Sequence, residues 1–379
     1  MEIFELPLNT THLQQKVKDM AKKDGIPYRP LRRKVSDILS SDLGKVWTRR
    51  RIIYRLLKVY GMNDQRTAQW HSKRSEMITA SEVTKGFKTA TPSAKRELML
   101  KKIEGAKESD GSGTNAACAW GTQFEPIAKT LYCKLNGGGE VVDTSCVSHP
   151  VHPFLGASPD GIYFPPSKSD VRWGKLIEFK CPISRKFDET TPIPDSYYHQ
   201  MQMQMECCNI DECDYVEMRF ATLTQTEWLA NTVAPFKGRF AIFDSGEVDY
   251  EQDTDKNWKV NLKKKEEEYR VVHWVLSNWR QANVKRDYTW MPTHIEELTD
   301  VWNDVLMHRK NGTIPEKMEK IVEEKPQKTF IGTLHCELQK DQRDDPFPVL
   351  LAEDARQVNL NGSSSVHKKS ATTLQFSLA

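Results

Sequence analysis

Short apolar blocks alternating with polar residues, and longer stretches with apolar residues at helical spacing, predict a mixed α/β chain. Residues 141–149, 153–164 and 173–181 read as strands, and Val216-Glu217-Met218-Arg219-Phe220 as a further strand of the same sheet. Residues 117–135 read as a helix ended by Asn136-Gly137-Gly138-Gly139, and 195–208 as a Gln-rich helix. Upstream, residues 1–65 read as helical and basic, broken at Pro27, Pro30 and Gly61. Residues 66–106 continue as mostly helix, and 105–116, rich in Gly, Ser, Asp and Asn, as a loop. Downstream, Phe240-Ala241-Ile242-Phe243 suggests an extra strand. Residues 258–282 suggest one long helix carrying Trp258, Val260, Tyr269, Val272, Trp274, Val275 and Trp279, and 294–309 another with Trp302 and Leu306. The prolines at 326, 346 and 348 and the run Asn361-Gly362-Ser363-Ser364-Ser365 suggest an extended or disordered tail. The expected division is a basic helical extension (1–65), an α/β core (66–232), a C-terminal helical part of the same domain (233–318) and the tail (319–379).

Two segments of the core carry chemistry: Gly156-Ala157-Ser158-Pro159-Asp160-Gly161 and Leu176-Ile177-Glu178-Phe179-Lys180-Cys181-Pro182. Along a strand Glu178 and Lys180 point to one face and Phe179 to the other, its carbonyl still able to face the site. Asp160 and Glu178 offer hard oxygen ligands for Mg²⁺, leaving positions for water and phosphate. Lys180 can orient or deprotonate an attacking water and offset phosphate charge. Pro-Asp-Gly is also a common turn, in which Asp caps its own backbone and Gly takes positive φ, and Glu-x-Lys a frequent exposed pair. Against that reading, Ile177, Phe179 and Ile183 make an apolar context in which an uncompensated charge is costly.

Further polar blocks flank the pair in order. They are Trp70-His71-Ser72-Lys73-Arg74, Ile78-Thr79-Ala80-Ser81-Glu82-Val83, Ala119-Trp120-Gly121-Thr122-Gln123-Phe124-Glu125 and Tyr197-Tyr198-His199-Gln200-Met201-Gln202-Met203-Gln204-Met205. The series resembles the lambda-type exonucleases, or YqaJ-like viral recombinase nucleases, of the PD-(D/E)xK class, over about residues 66–220. The resemblance implies a restriction-endonuclease-like fold, a central mixed sheet flanked by helices, here with helical N-terminal and C-terminal additions. It implies Asp160, Glu178, Glu125 and the Phe179 carbonyl as ligands of Mg²⁺, with Mn²⁺ able to substitute, and Lys180 and Gln200 as further catalytic residues. Arg74 and Ser81 match the family's pocket for a terminal 5′-phosphate. Ser81 serves equally as a helix cap, and Thr79 with Glu82 as a capping box. His199 departs from the small residue expected there, and Phe124 is a mild aromatic variant. Met201, Met203 and Met205 spread around a helix, some toward core and some toward groove.

Composition narrows the class only slightly. With 28% charged residues, a mean hydropathy of −0.64, no long apolar stretch and no basic leader, the expectation is a soluble intracellular protein without membrane partners, in the host cytoplasm or nucleus. The eight cysteines include the cluster Cys207, Cys208 and Cys213, and Cys146 lies near His149 and His152. Neither set has zinc-ribbon spacing, so reduced thiols are expected. Net charge is +3, but the acid-free segment 45–60 gathers Lys45, Arg49, Arg50, Arg51, Arg55 and Lys58, with Trp47, Ile52, Leu56 and Val59 at helical spacing. That segment reads as a helix following a phosphate backbone or as a solvated face paired elsewhere. The favoured function is a Mg²⁺-dependent 5′→3′ exonuclease on linear double-stranded DNA ends, in viral-type recombination, repair or genome processing. Alternatives are endonuclease or RNA-degrading activity, and a non-cutting DNA-end scaffold. A single-strand annealing protein and a homo-oligomer are partners that the resemblance implies.

Overall fold

The computed structural model describes residues 10–26, 35–39, 41–61, 65–105, 116–252, 256–265 and 267–316. The predicted loop at 105–116, but for its ends, and the tail from 319 lie outside the described residues. The chain opens with α1 (Thr10–Lys23), α2 (Val35–Leu39), α3 (Asp42–Tyr60) and α4 (Ala68–Ser75). Ser41 caps α3 through the Gly44 amide at 3.1 Å, and Thr67 caps α4 through the Trp70 amide at 3.2 Å. There follow β1 (Ile78–Thr79), a 3₁₀ turn (Ala80–Gly86), α5 (Pro92–Glu104) and α6 (Ala116–Leu135). The middle of the chain supplies β2 (Glu140–Val142), β3 (Val147–Ser148), β4 (Leu155–Ala157), β5 (Gly161–Phe164), β6 (Lys175–Lys180), α7 (Asp195–Cys208) and β7 (Glu212–Leu223). The remainder is α8 (Gln225–Ala230), β8 (Lys237–Phe243), β9 (Val248–Tyr250), α9 (Trp258–Lys263), β10 (Tyr269–Lys285) and α10 (Trp290–Asn311).

Contacts separate two compact units. Among the described residues the first takes in those up to Phe220, Ala234–Lys237 and those from Leu276 on; the second takes in Ala221–Val233 and Gly238–Val275. In the first unit the strands run β2-β5-β6-β7-β10, and in the second β10-β8-β9. β5 is antiparallel to β2 and β6, whereas β6 and β7 are parallel with Glu178 opposite Tyr215 and Lys180 opposite Glu217. A parallel pair needs a crossover, and α7 supplies it. Both faces of β6 are covered, so Leu176, Ile177, Glu178 and Phe179 are all buried. A small sheet, β1-β4-β3, lies in the same unit, with Ile78 paired to Leu155. The fold is a mixed α/β arrangement, with Asp160 just before β5, Glu178 on the adjoining β6 and Glu125 on α6 before them.

Two expectations are corrected. Residues 258–282 are not one helix: α9 stops at Lys263 and β10 begins at Tyr269. Tyr269, Val271, Val272, Trp274 and Val275 are aromatic or β-branched, and such residues fit a pleated surface better than a helix. The methionines of α7 are not split between core and groove, because Met201, Met203 and Met205 are all fully buried. From Gln200 to Cys208 every side chain of α7 is buried, enclosed by the 3₁₀ turn, β3, β4 and α10. The helix ends at Asn209, whose left-handed backbone (φ 53°) caps it.

Candidate active site

Asp160 stands between β4 and β5, and its side chain crosses to β6, where Oδ2 accepts the Phe179 amide at 2.8 Å. Pro159-Asp160-Gly161 is therefore not a self-capped turn. Gly161 lacks positive φ; it is needed because a Cβ there would lie 2.2 Å from Val141 Cγ1 on β2. Glu178, 1% exposed, is held from three sides. Its Oε1 accepts from Lys180 Nζ and from Gln200 Nε2 at 2.6 Å, and its Oε2 from Gln204 Nε2 at 2.6 Å. Lys180 also reaches Gln200 Oε1 at 3.2 Å and lies 4.5 Å over the Tyr197 ring. Glutamines four apart on α7 thus share one carboxylate, as i,i+4 geometry allows.

The electrostatics follow from this crowding. Desolvation, then the neighbouring Glu178 and Glu125 carboxylates, push the Asp160 carboxyl well above its ordinary value of 3.8. Burial pulls the Lys180 ammonium down, but Glu178 and Asp160 more than offset it and hold it above the usual lysine range. In this state Lys180 is a charged donor. Cys181 is pushed up by burial and by Glu125 and Asp160, so its thiol is a poor nucleophile.

Glu125 stands apart. On α6 its Oε2 meets Arg66 Nη2 at 2.8 Å and its Oε1 meets Lys129 Nζ at 2.7 Å. Among the described residues no three His, Cys, Asp or Glu side chains gather closely enough to form a ligand set by themselves. The donors that do converge are hard oxygens in a crowded anionic setting, and a divalent cation would relieve the repulsion that raises Asp160. Asp160 and Glu178 are donors of the kind a divalent cation takes, and the Glu125 charge adds to the anionic field at Asp160.

The second constellation lies two residues from Asp160. Arg74 Nη2 donates to Ser81 Oγ at 3.1 Å and Thr79 Oγ1 at 3.2 Å, and its Nη1 approaches Ser158 Oγ at 3.4 Å. The guanidinium stacks 4.3 Å over Trp70, whose Nε1 donates to Ser158 Oγ at 3.0 Å. Below it, Glu82 accepts the Thr79 amide and hydroxyl and pairs with Lys101 and the buried Lys102. Lys102 in turn donates to the Arg74 carbonyl at 3.0 Å. A cavity of about 520 Å³ opens beside Trp70, His71, Arg74 and Lys101. Three hydroxyls around a stacked arginine form a polar, cationic cradle.

The basic helix is corrected in part. Arg49 is 5% exposed and belongs to the fold, pairing with Glu212 at 3.1 Å and donating to the Val171 carbonyl. Arg50 pairs with Asp24 and lies over Trp173. The buried residues of α3 include Val46, Trp47, Arg49 and Ile53, whereas Arg50 is half-buried. Arg51, over the Trp47 ring, and Arg55 remain on the outward side with Tyr54, which is 72% exposed. Gln202 ties α7 to the Lys285 carbonyl and the Asp287 amide. His199 accepts from Trp290 Nε1 at 2.8 Å among Phe87 and His294, so it is an aromatic-cluster residue. Cys207, Cys208 and Cys213 are buried, and Cys146 lies against the Met77 sulfur. The sequence alone gives Trp70 and Ser158 no site role and marks Gln204 less clearly than Gln200, although each stands at a telling offset: Trp70 four before Arg74, Ser158 two before Asp160, Gln204 four after Gln200.

Residues 69–211 match the model of the YqaJ-like viral recombinase domain. The chain carries a YqaJ-like domain. It runs from α4 to the start of β7 and contains Arg74, Ser81, Glu125, Asp160, Glu178, Lys180 and Gln200, but not Arg66 or α3. The chain is also similar to the uncharacterized protein R354 of Acanthamoeba polyphaga mimivirus, 22% identical over 345 residues. That match covers 75% of this chain and 61% of the relative's length. Among solved structures it is similar to an alkaline exonuclease (LHK-Exo) from Laribacter hongkongensis, at 21% identity and a TM-score of 0.40, covering 65% of this chain and 95% of that one. A phage related exonuclease from Haemophilus somnus 129PT matches at 14% identity and a TM-score of 0.35, covering 62% and 96%. Among the described residues no helix is long and apolar enough to cross a membrane.

Proposed function

We propose that this protein is a divalent-metal-dependent exonuclease that enters linear duplex DNA at a 5′-phosphorylated end. The observation that carries the reading is the link from clamp to carboxylate. Ser158, bonded to both Trp70 and Arg74, is two residues from Asp160. Two extended residues reach about 7 Å. A terminal phosphate held by Arg74, Thr79, Ser81 and Ser158 therefore lies a short step from Asp160 and Glu178, which favours cutting close to the end. The YqaJ-like domain supports a nuclease, and the intact Asp160, Glu178 and Lys180 set supports one that cuts.

The residues divide the work. Arg74 binds the terminal phosphate with charge-assisted hydrogen bonds, and Trp70 fixes the guanidinium plane. Gln200 and Gln204 orient Glu178. Lys180, protonated, donates to the phosphate or to the attacking water and offsets developing charge. Mg²⁺ or Mn²⁺, held by Asp160, Glu178 and the Phe179 carbonyl, would supply phosphate polarisation and a more acidic water.

The test is release of nucleotides from linear duplex DNA in Mg²⁺, with Asp160→Ala as control. Nuclease activity that persists in Asp160→Ala would assign the cutting to something other than this site. A chain that binds ends but cuts nothing in either metal would leave the scaffold reading.

A further inference from the structure

Arg66 has a backbone that its side chain disfavours. Its φ is 71°, and Asn209 is the only other non-glycine with positive φ among the described residues. Asn tolerates that region at a helix end, whereas arginine gains nothing from it. The neighbours impose the conformation. Gln65 Nε2 donates to the carbonyls of Thr144 at 2.7 Å and Pro159 at 3.0 Å, pinning the chain beside Asp160. Thr67 is committed to capping α4. The result aims the Arg66 guanidinium at Glu125, with one contact at 2.8 Å.

That contact does not explain the strain. Glu125 has a second cation in Lys129 at 2.7 Å, which it shares with Asp143 at 2.6 Å. The Arg66 side chain is 52% exposed, and a pair so open to water contributes little to stability. Its remaining donors have no partner among the described residues. A strained backbone that holds a half-solvated cation between Glu125 and the Asp160 segment suits a ligand rather than the fold.

We infer that Arg66 is a substrate-contacting residue, binding a phosphodiester of the strand being cut next to the carboxylate site. This rests on the nuclease reading above and assigns a cation outside both the phosphate clamp and the matched domain. Its role is one phosphate contact, so it sets DNA affinity and salt dependence.

Substitution by glycine separates this role from a structural one, because glycine accepts the backbone and removes only the side chain. The measurement is binding of the full chain to a labelled 5′-phosphorylated duplex by fluorescence anisotropy in EDTA, where the duplex stays intact, across a salt series. Arg66→Gly is expected to bind about ten-fold more weakly, with the slope of log K against log salt shallower by about one. Arg66→Lys keeps the slope, and the thermal midpoint of Arg66→Gly is no lower than that of the parent. Affinity and slope unchanged in Arg66→Gly, while the parent binds and cuts DNA, overturn this inference alone. A parent chain that binds no DNA overturns it together with the nuclease reading.

Discussion

At the scale of single residues, Asp160 stores the tension of the site. Its carboxyl is raised well above 3.8, so its ionised form is disfavoured in the folded state. A raised acid contributes stability at pH below its unfolded value and loses it as pH climbs through the folded one. Asp160→Asn should therefore raise the melting temperature at pH 7–8 without metal, by about 2–4 °C for each ~1 kcal/mol relieved. The gain should vanish below pH 3.8, where both states are protonated. Differential scanning fluorimetry across pH reads it, and an equal gain at low pH would show that burial of charge is not the cause. Lys180→Ala should lower cleavage by at least ~10²-fold while leaving end binding within a few fold, since it removes charge stabilisation at the reacting phosphate. Single-turnover rates beside binding constants separate the two effects. The sequence made Asp160, Glu178 and Lys180 legible because alternation on an apolar run is a local signal. Gln204 and Ser158 were harder to see because their partners lie 26 and 84 residues away.

At the scale of elements, the 3₁₀ turn and α5 are tied by Glu82. Burial raises this carboxyl, but Lys102 and Lys101 outweigh it and bring it down to about 2. A lowered acid contributes stability that is present above its unfolded value of 4.5 and is lost as pH falls toward 2. Glu82→Ala also strands the buried Lys102, so a loss of about 3–5 kcal/mol is expected in denaturant titration. The 5′-phosphate preference should weaken with it, because Lys102 supports the Arg74 carbonyl. A loss below ~1 kcal/mol would mean that Lys102 finds another partner. Phe124, fully buried and stacked 4.5 Å from Phe220, anchors α6 to β7, and Phe124→Ala should cost about 3–5 kcal/mol. Elements with a single consistent period were readable, such as α7 with its predicted bounds of 195–208. β10 was not, because Val272, Val275 and Trp279 satisfy helical spacing while its aromatic and β-branched content favours a strand. On α3 the expected apolar positions Trp47, Ile52 and Leu56 do pack against the core, but Arg49 is buried as well, which only a distant Glu212 explains.

At the scale of the molecule, net charge says little about the ligand, because arginines such as Arg49, Arg50, Arg185 and Arg280 serve internal carboxylates. The proposed reading assigns two cations to substrate, Arg74 in the clamp and Arg66 beside Glu125. End recognition should then be specific rather than a general basic attraction, and Arg74→Ala should abolish discrimination between phosphorylated and unphosphorylated ends. The central claim is that one site joins a terminal-phosphate clamp to a metal-dependent cutting centre. It is tested most directly by following digestion of linear duplex DNA in Mg²⁺, with 5′-phosphate or 5′-hydroxyl ends, by the parent, Asp160→Ala and Arg74→Ala. The account predicts cutting from phosphorylated 5′ ends, none with Asp160→Ala, and loss of end preference with Arg74→Ala. Cutting indifferent to the end in the parent, or no cutting at all, would contradict it.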